Sequence, residues 1–258
     1  MDIAGKNIVI TGAASGIGRA MAQRFHAEGA AKLFLVDLNE APLKEVAESL
    51  GSDYCVCNVG LEHDVLGTIK RAEAALGHID LLCNNAGISV RGGPEVDTAD
   101  WQRIWEINVM AHVWASRAAL PAMLERGEGY ILNTASAAGL LSQIGSAPYA
   151  VTKHAAVSFA EWLSITYGDR GIKVSVLCPQ AVRTAMIAGN EDGVASVDGL
   201  MEPETLCDIV VATLAEESFL VLPHDEVRTY IQRKAGDYDR WLKGMRRLQT
   251  AYGPPGDL

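Results

Sequence analysis

Seven short apolar runs, each separated from the next by a longer helix-patterned stretch, restrict the fold of this chain more than any other feature. The runs fall near 6–11, 32–36, 53–57, 79–83, 129–134, 173–178 and 218–222. They are apolar nearly throughout rather than alternating, as parallel strands covered on both faces must be. Between them the apolar spacing is helical near 17–29, 40–50, 61–76, 99–126, 148–169 and 203–215, with a last helix within 225–250. This order predicts a doubly wound α/β fold, a parallel sheet of about seven strands with helices on both faces. Right-handed crossovers then bring the carboxyl ends of the strands to one edge, where ligands bind.

With 258 residues and 49% hydrophobic residues, the chain reads as a single domain over 1–258. Residues 184–202, the least regular stretch of the body, carry Gly189, Gly193 and Gly199 and read as a substrate-binding flap above the ligand edge. Residues 225–258 read as a C-terminal helix and tail, flexible over 252–258.

The formal net charge of −10 and the scattered basic residues argue against a nucleic-acid partner. The basic stretch at Lys243–Arg247 reads as a solvated helix face. No segment approaches a membrane span and no signal layout is present, so the expectation is a soluble cytoplasmic protein. Five cysteines, Cys55, Cys57, Cys83, Cys178 and Cys207, fit buried reduced thiols, with no metal site.

The first strand runs into Thr11-Gly12-Ala13-Ala14-Ser15-Gly16-Ile17-Gly18, and Ile17 opens a helix. Gly12 permits the tight turn, Gly16 lets backbone approach a pyrophosphate, and Gly18 lets helix and strand pack closely. The helix amino end supplies unpaired N–H groups and a positive dipole. Asp37, nineteen residues past Gly18, ends the second strand, where a carboxylate accepts from ribose hydroxyls and repels a 2′-phosphate. Leu38 supplies no base and Ser15 fills a turn position where a base would help a phosphate, so NAD is expected over NADP.

Tyr149 and Lys153 stand four apart, hence on one helix face, after Pro148 in the first turn. A free phenol, with a pKa of about 10, is a poor base at neutral pH, and a neighbouring ammonium is expected to lower that value. Tyr149 then exchanges a proton with an alcohol oxygen as hydride moves. Ser136 closes the fifth strand, where it can hold the substrate oxygen. Asn108 lies mid-helix among apolar residues and needs a polar partner if buried.

The glycine turn, Asn84-Asn85-Ala86-Gly87, Ser136 and Tyr149-x-x-x-Lys153, in this order and separation, resemble the short-chain dehydrogenase/reductase family across nearly the whole chain. The resemblance implies a Rossmann-type fold and a catalytic tetrad of Asn108, Ser136, Tyr149 and Lys153. It implies that Asn108 bends its helix and holds a relay water, that Asn85, Ala86 and Gly87 line the adenosine side, and that Ile17 and Thr184 meet the nicotinamide end. Lys153 also holds the nicotinamide ribose. Two departures stand out: Asn58-Val59 replaces the usual Asp-Val, its amide oxygen facing the adenine amine, and Pro179-Gln180 replaces Pro-Gly, where the larger amide narrows the pocket.

The expected pocket wall is Val90, Ala138, Leu140, Gln180, Met186 and Ile187, mostly neutral and apolar, with Arg183 turned away. This fits a small neutral alcohol or ketone. Resemblance also implies that helices 99–126 and 148–169 pair between subunits in a homodimer or homotetramer. The expected activity is an NAD-dependent oxidoreductase interconverting a secondary alcohol and a ketone; the alternatives are a non-catalytic NAD-binding sensor and an NAD-retaining epimerase or dehydratase.

Overall fold

A computed structural model describes residues 1–253; the rest of the tail expected over 252–258 lies outside the described residues. The seven strands are β1 (Asn7–Thr11), β2 (Lys32–Asp37), β3 (Asp53–Val56), β4 (Leu81–Asn84), β5 (Gly129–Thr134), β6 (Ile172–Leu177) and β7 (Leu220–Val221). All pair in parallel, in the order β3-β2-β1-β4-β5-β6-β7. The strand order reverses between β1 and β4, where Ile8 pairs with Leu33 on one side and Leu81 on the other. The ends of these two strands therefore open a crevice at the carboxyl edge.

The helices are α1 (Gly16–Ala27), α2 (Glu40–Leu50), α3 (Glu62–Leu76), α4 (Thr98–Trp105), α5 (Ala111–Arg126), α6 (Ala147–Tyr167), α7 (Pro203–Glu216), α8 (Glu226–Gly236) and α9 (Tyr238–Tyr252). One apolar core joins α3, α5 and α6 to a sheet face through Ile69, Ala115 and Ala160; the other joins α1, α2 and α7 through Met21, Leu43 and Val210. Each strand buries both faces except at the edge, which is why the runs are continuously apolar. β3 is the exception: as an edge strand it leaves Tyr54 and Val56 exposed. β7 is shorter than its apolar run.

Two helical expectations are refined. The stretch 99–126 is not one α-helix, because Glu106–Met110 form a π-helical turn containing Asn108. The last helix is two, broken at Asp237, whose carboxylate caps α9 by accepting from the Arg240 N–H at 2.9 Å. All five cysteines are buried and unpaired. No helix among the described residues is long and apolar enough to cross a membrane, and none of their His, Cys, Asp and Glu residues cluster as a metal site would require.

Candidate active site

A crevice of about 2850 Å³ is lined by residues at the carboxyl ends of the strands, by the glycine turn and Asp37, and by residues of α8 and α9. Gly12 adopts φ +70° and Gly16 φ +51°, in the left-handed region. A Cβ on Gly12 would stand 3.0 Å from Ala86 Cα, and one on Gly16 3.0 Å from Thr184 Cγ2. Gly18 does not line the crevice: a Cβ there would lie 2.0 Å from the Gly12 carbonyl oxygen, so this glycine seats α1 against the turn.

The amino end of α1 is open. Ser15 makes no side-chain cap and the first turn carries no acid, which leaves N–H groups and the dipole directed into the crevice. Asp37 is fixed by two backbone donors, Ala14 N–H at 3.0 Å and Asn39 N–H at 2.9 Å. No basic side chain accompanies it; Leu38 and Asn39 are the neighbours on the wall. This donor set and glycine cradle fit a dinucleotide. Ile17, Val59, Ala86, Gly87, Pro179 and Thr184 line the same crevice. Asn58 also lines it, but its amide oxygen already accepts the Gly60 N–H at 3.0 Å. Thr11, which the sequence reading passes over, orients the opposite wall by accepting the N–H groups of Asn85 and Ala86.

Ser136, Tyr149 and Lys153 meet at the crevice centre. The Ser136 hydroxyl donates to the Pro179 carbonyl at 3.3 Å. Lys153, 3% exposed, donates to the Thr134 carbonyl at 3.1 Å. Burial lowers its pKa to about 8. Asn108 is fully buried behind them: its amide oxygen accepts from the Ile88 N–H, and its nitrogen donates to the Ile88 carbonyl and the Thr152 hydroxyl. The Asn108 amide thus answers the demand for polar partners, and it does so off the crevice wall. Gly87 keeps this junction tight, since a Cβ there would stand 3.2 Å from Asn108 Oδ1 and 3.3 Å from Lys153 Nζ.

The phenol of Tyr149 departs from expectation. Burial raises its pKa, with the Ser136 hydroxyl acting in the opposite direction. Desolvation outweighs any help from the lysine, itself pushed toward neutrality by the same burial. One turn along from Asn108, His112 is also fully buried, with its pKa lowered to about 3 by burial and by Lys153.

Of the expected pocket wall, Ala138, Gln180, Met186 and Ile187 line the crevice, and Val90 and Leu140 do not. Val90 is buried, its carbonyl accepting from the Ser146 hydroxyl, and Arg91 takes the wall position. A 3-10 turn at Ala137–Gly139 shifts the phase of the chain, so Leu140 packs on the core and Leu141 reaches the wall. The Gln180 amide donates to Asp198 at 2.8 Å, and Tyr230 of α8 donates to the same carboxylate at 2.9 Å. Residues 184–202 are thereby tied to α8, and Met186, Ile187, Val194 and Val197 of this segment line the crevice. Arg183 turns outward to Glu202.

The neutral wall expected from the sequence is not what α8 and α9 provide. Arg233, Arg240, Trp241, Met245, Arg247 and Leu248 all line the crevice. Lys234 holds this cover in place by donating to the carbonyls of Leu140 and Leu141, while standing 5.0 Å from the centre of the Trp241 ring. Lys243, Arg246 and Arg247 are all exposed, as the sequence predicts, and Arg247 also borders the crevice.

The family model described as short chain dehydrogenase matches residues 6–194. A 3beta-hydroxysteroid dehydrogenase 2 of Eggerthella lenta is 36% identical over 72% of this chain and 75% of that protein. A 1-deoxy-11-beta-hydroxypentalenate dehydrogenase of Streptomyces exfoliatus is 32% identical over 92% of this chain and 90% of that protein. Among solved structures, a short-chain dehydrogenase/reductase from Burkholderia phymatum in complex with NAD superimposes with a TM-score of 0.84 at 27% identity, covering 100% of this chain and 99% of that one. The chain belongs to the short-chain dehydrogenase family, and it is an oxidoreductase of that family's Rossmann-type fold.

Proposed function

We propose that this protein is an NAD-dependent dehydrogenase or reductase that interconverts a secondary alcohol and a ketone, with Tyr149 as the acid/base group. The observation that carries this reading is that Ser136, Tyr149 and Lys153 line the same crevice as the open end of α1 and the Asp37 carboxylate. The NAD-bound relative from Burkholderia phymatum supports the choice of cofactor. NAD, when bound, supplies the hydride acceptor. Gly12, Gly16 and the α1 amides would hold its pyrophosphate, and Asp37 its adenosine ribose, with no base present for a 2′-phosphate.

In the oxidative direction Tyr149 takes the hydroxyl proton as the carbinol carbon loses hydride; in reverse it returns that proton to the forming alkoxide. Ser136 holds the substrate oxygen. Lys153 would hold the cofactor ribose, and it supplies positive charge beside the phenol. Because burial raises the phenol's pKa, the positive charge of oxidised NAD would help Tyr149 release and take up its proton. Asn108 braces this group through Ile88 and Thr152, and the 184–202 segment serves as the substrate flap. Relatives named for a hydroxysteroid and a hydroxypentalenate support a bulky, largely apolar substrate.

Val151, Ala155, Ser158, Trp162 and Ile165 follow one another on α6 at steps of four, three, four and three, and Trp162 and Ile165 are 53% and 83% exposed. That stripe supports pairing with a second copy, in a dimer or tetramer. The buried free thiols support a reducing, intracellular setting.

The direct test is to add NAD and a panel of secondary alcohols and follow the absorbance of the reduced nicotinamide. Tyr149→Phe should keep NAD affinity and lose about 10²–10⁴ in turnover. Tight NAD binding without reduced cofactor on any alcohol would point to a sensor or an epimerase.

A further inference from the structure

We propose that the substrate is an apolar-bodied organic anion whose charged end is held at the crevice wall by Arg240 and Arg247 of α9, with Arg91 and Arg233 adding positive charge to the same wall. The proposal rests on the oxidoreductase reading above and names its substrate class.

Charge balance is the first ground. The chain carries 22 basic against 32 acidic residues. The crevice wall reverses this, with six basic residues against three acidic ones. Each of the three acids is engaged: Asp37 by Ala14 and Asn39, Glu95 by the Gly93 N–H at 2.6 Å, and Asp237 by the Arg240 N–H. Of the bases, Lys153 bonds Thr134 and Arg103 pairs with Asp100. Arg91, Arg233, Arg240 and Arg247 form no ion pair among the described residues; Arg233 only overlies the Tyr230 ring. All four are exposed on the wall of this one crevice, so each guanidinium is available to an anion bound there. The planar guanidinium fork is matched to carboxylate and phosphate oxygens. A positive wall on a negative protein also draws anions toward the redox site.

The face of α9 is the second ground. Trp241, Met245, Leu248 and Tyr252 line the crevice at helical spacing, and Arg240 and Arg247, two turns apart, flank them. No residue of α9 is buried. The strip from Trp241 to Tyr252 is about 16 Å long at 1.5 Å per residue, room for a fused-ring or long-chain body. An apolar strip bordered by unpaired guanidinium groups is the complement of a hydrophobic molecule ending in carboxylate, sulfate or phosphate.

The test compares matched substrates: a hydroxy fatty acid and a hydroxysteroid acid bearing secondary hydroxyls, each beside its methyl ester, and a hydroxyacyl-CoA thioester for the phosphate source. In the unaltered protein kcat/KM for the free acid should exceed that for its ester by about tenfold or more, and added salt should erode the difference. The ratio should collapse toward one in the Arg240→Gln/Arg247→Gln double variant. Arg91→Gln, on a separate loop, should lower it independently of any change in α9 folding, which circular dichroism would follow. Lys243→Gln, on α9 but off the crevice wall, should leave it intact. Preference for the thioester over both acid and ester would assign the anion to phosphate. Equal use of acid and ester, or a preference surviving the double variant, overturns the proposal while leaving the oxidoreductase reading standing. If no alcohol or ketone, neutral or charged, is turned over with the nicotinamide, both fall.

Discussion

Lys153 Nζ stands 5.6 Å from the centre of the Tyr149 ring and spends a hydrogen bond on the Thr134 carbonyl, 3.1 Å away. The amine is buried and the phenol half-buried, and burial shifts each toward its neutral form. With its pKa near 8, Lys153 still carries most of its positive charge at neutral pH, beside a phenol that is protonated.

This arrangement makes a prediction about stability and pH. The Lys153 pKa is about 8 in the folded protein against 10.5 for the free side chain. Between these values the unfolded chain binds the extra proton, so this group raises stability as pH climbs from 8 to 10.5; below 8 its penalty is present in full. The penalty is on the order of 3 kcal/mol, from about 1.4 kcal/mol per pKa unit. Lys153→Met should be inactive yet at least as stable as the unaltered protein at pH 7, with the gap closing by pH 10. Chemical denaturation of both across that range checks it, and a variant less stable throughout would contradict the assignment.

In the proposed function, Asp37 sets the choice of dinucleotide. Asp37→Ala removes the carboxylate that repels a 2′-phosphate, so the NAD over NADP preference should shrink by about tenfold or more, through KM rather than kcat. The same change frees the Ala14 and Asn39 N–H groups, so thermal unfolding should be measured alongside. Unchanged cofactor discrimination in a folded variant would remove the role.

Gly18 tolerates no side chain. With a Cβ 2.0 Å from the Gly12 carbonyl oxygen, Gly18→Ala must push α1 off the turn. A loss of roughly 3 kcal/mol in stability is expected, with weaker NAD binding by titration calorimetry. Gly67, which has open space around its Cβ position, is the control at which alanine should be harmless.

Trp162→Glu tests the α6 stripe. Placing a charge within it should convert a dimer or tetramer to monomer, read by light scattering, with little effect on the fold because Trp162 is half exposed in the single chain. A mass unchanged from the unaltered protein would locate the interface elsewhere.

Much of this was legible in the amino-acid order, and the exceptions have physical causes. The six longer strands and the glycine turn declare themselves because their signals are local: short apolar runs and obligatory positive φ angles. The exposure of Tyr54 and Val56 is not local, since only sheet order makes β3 an edge. Val90 and Leu140 were each off by one position, because a hydroxyl bond from Ser146 and a 3-10 turn set the phase of their segments. The direction of the Tyr149 shift was missed because i to i+4 spacing reveals a neighbouring amine but not the desolvation around it. The stretch Lys243–Arg247 is solvated as its sequence predicts, but that Arg247, with Arg233 and Arg240, also borders the crevice depends on where the break at Asp237 puts α9 and is not legible locally.

That break has a wider consequence. Because α9 places no residue in the core, it resembles an interchangeable cassette on a finished scaffold. Its sequence can drift, or be exchanged with that of a homologue, without disturbing the seven-stranded platform. Selectivity in such a protein is free to evolve faster than its chemistry, and an engineer seeking a new substrate would begin there.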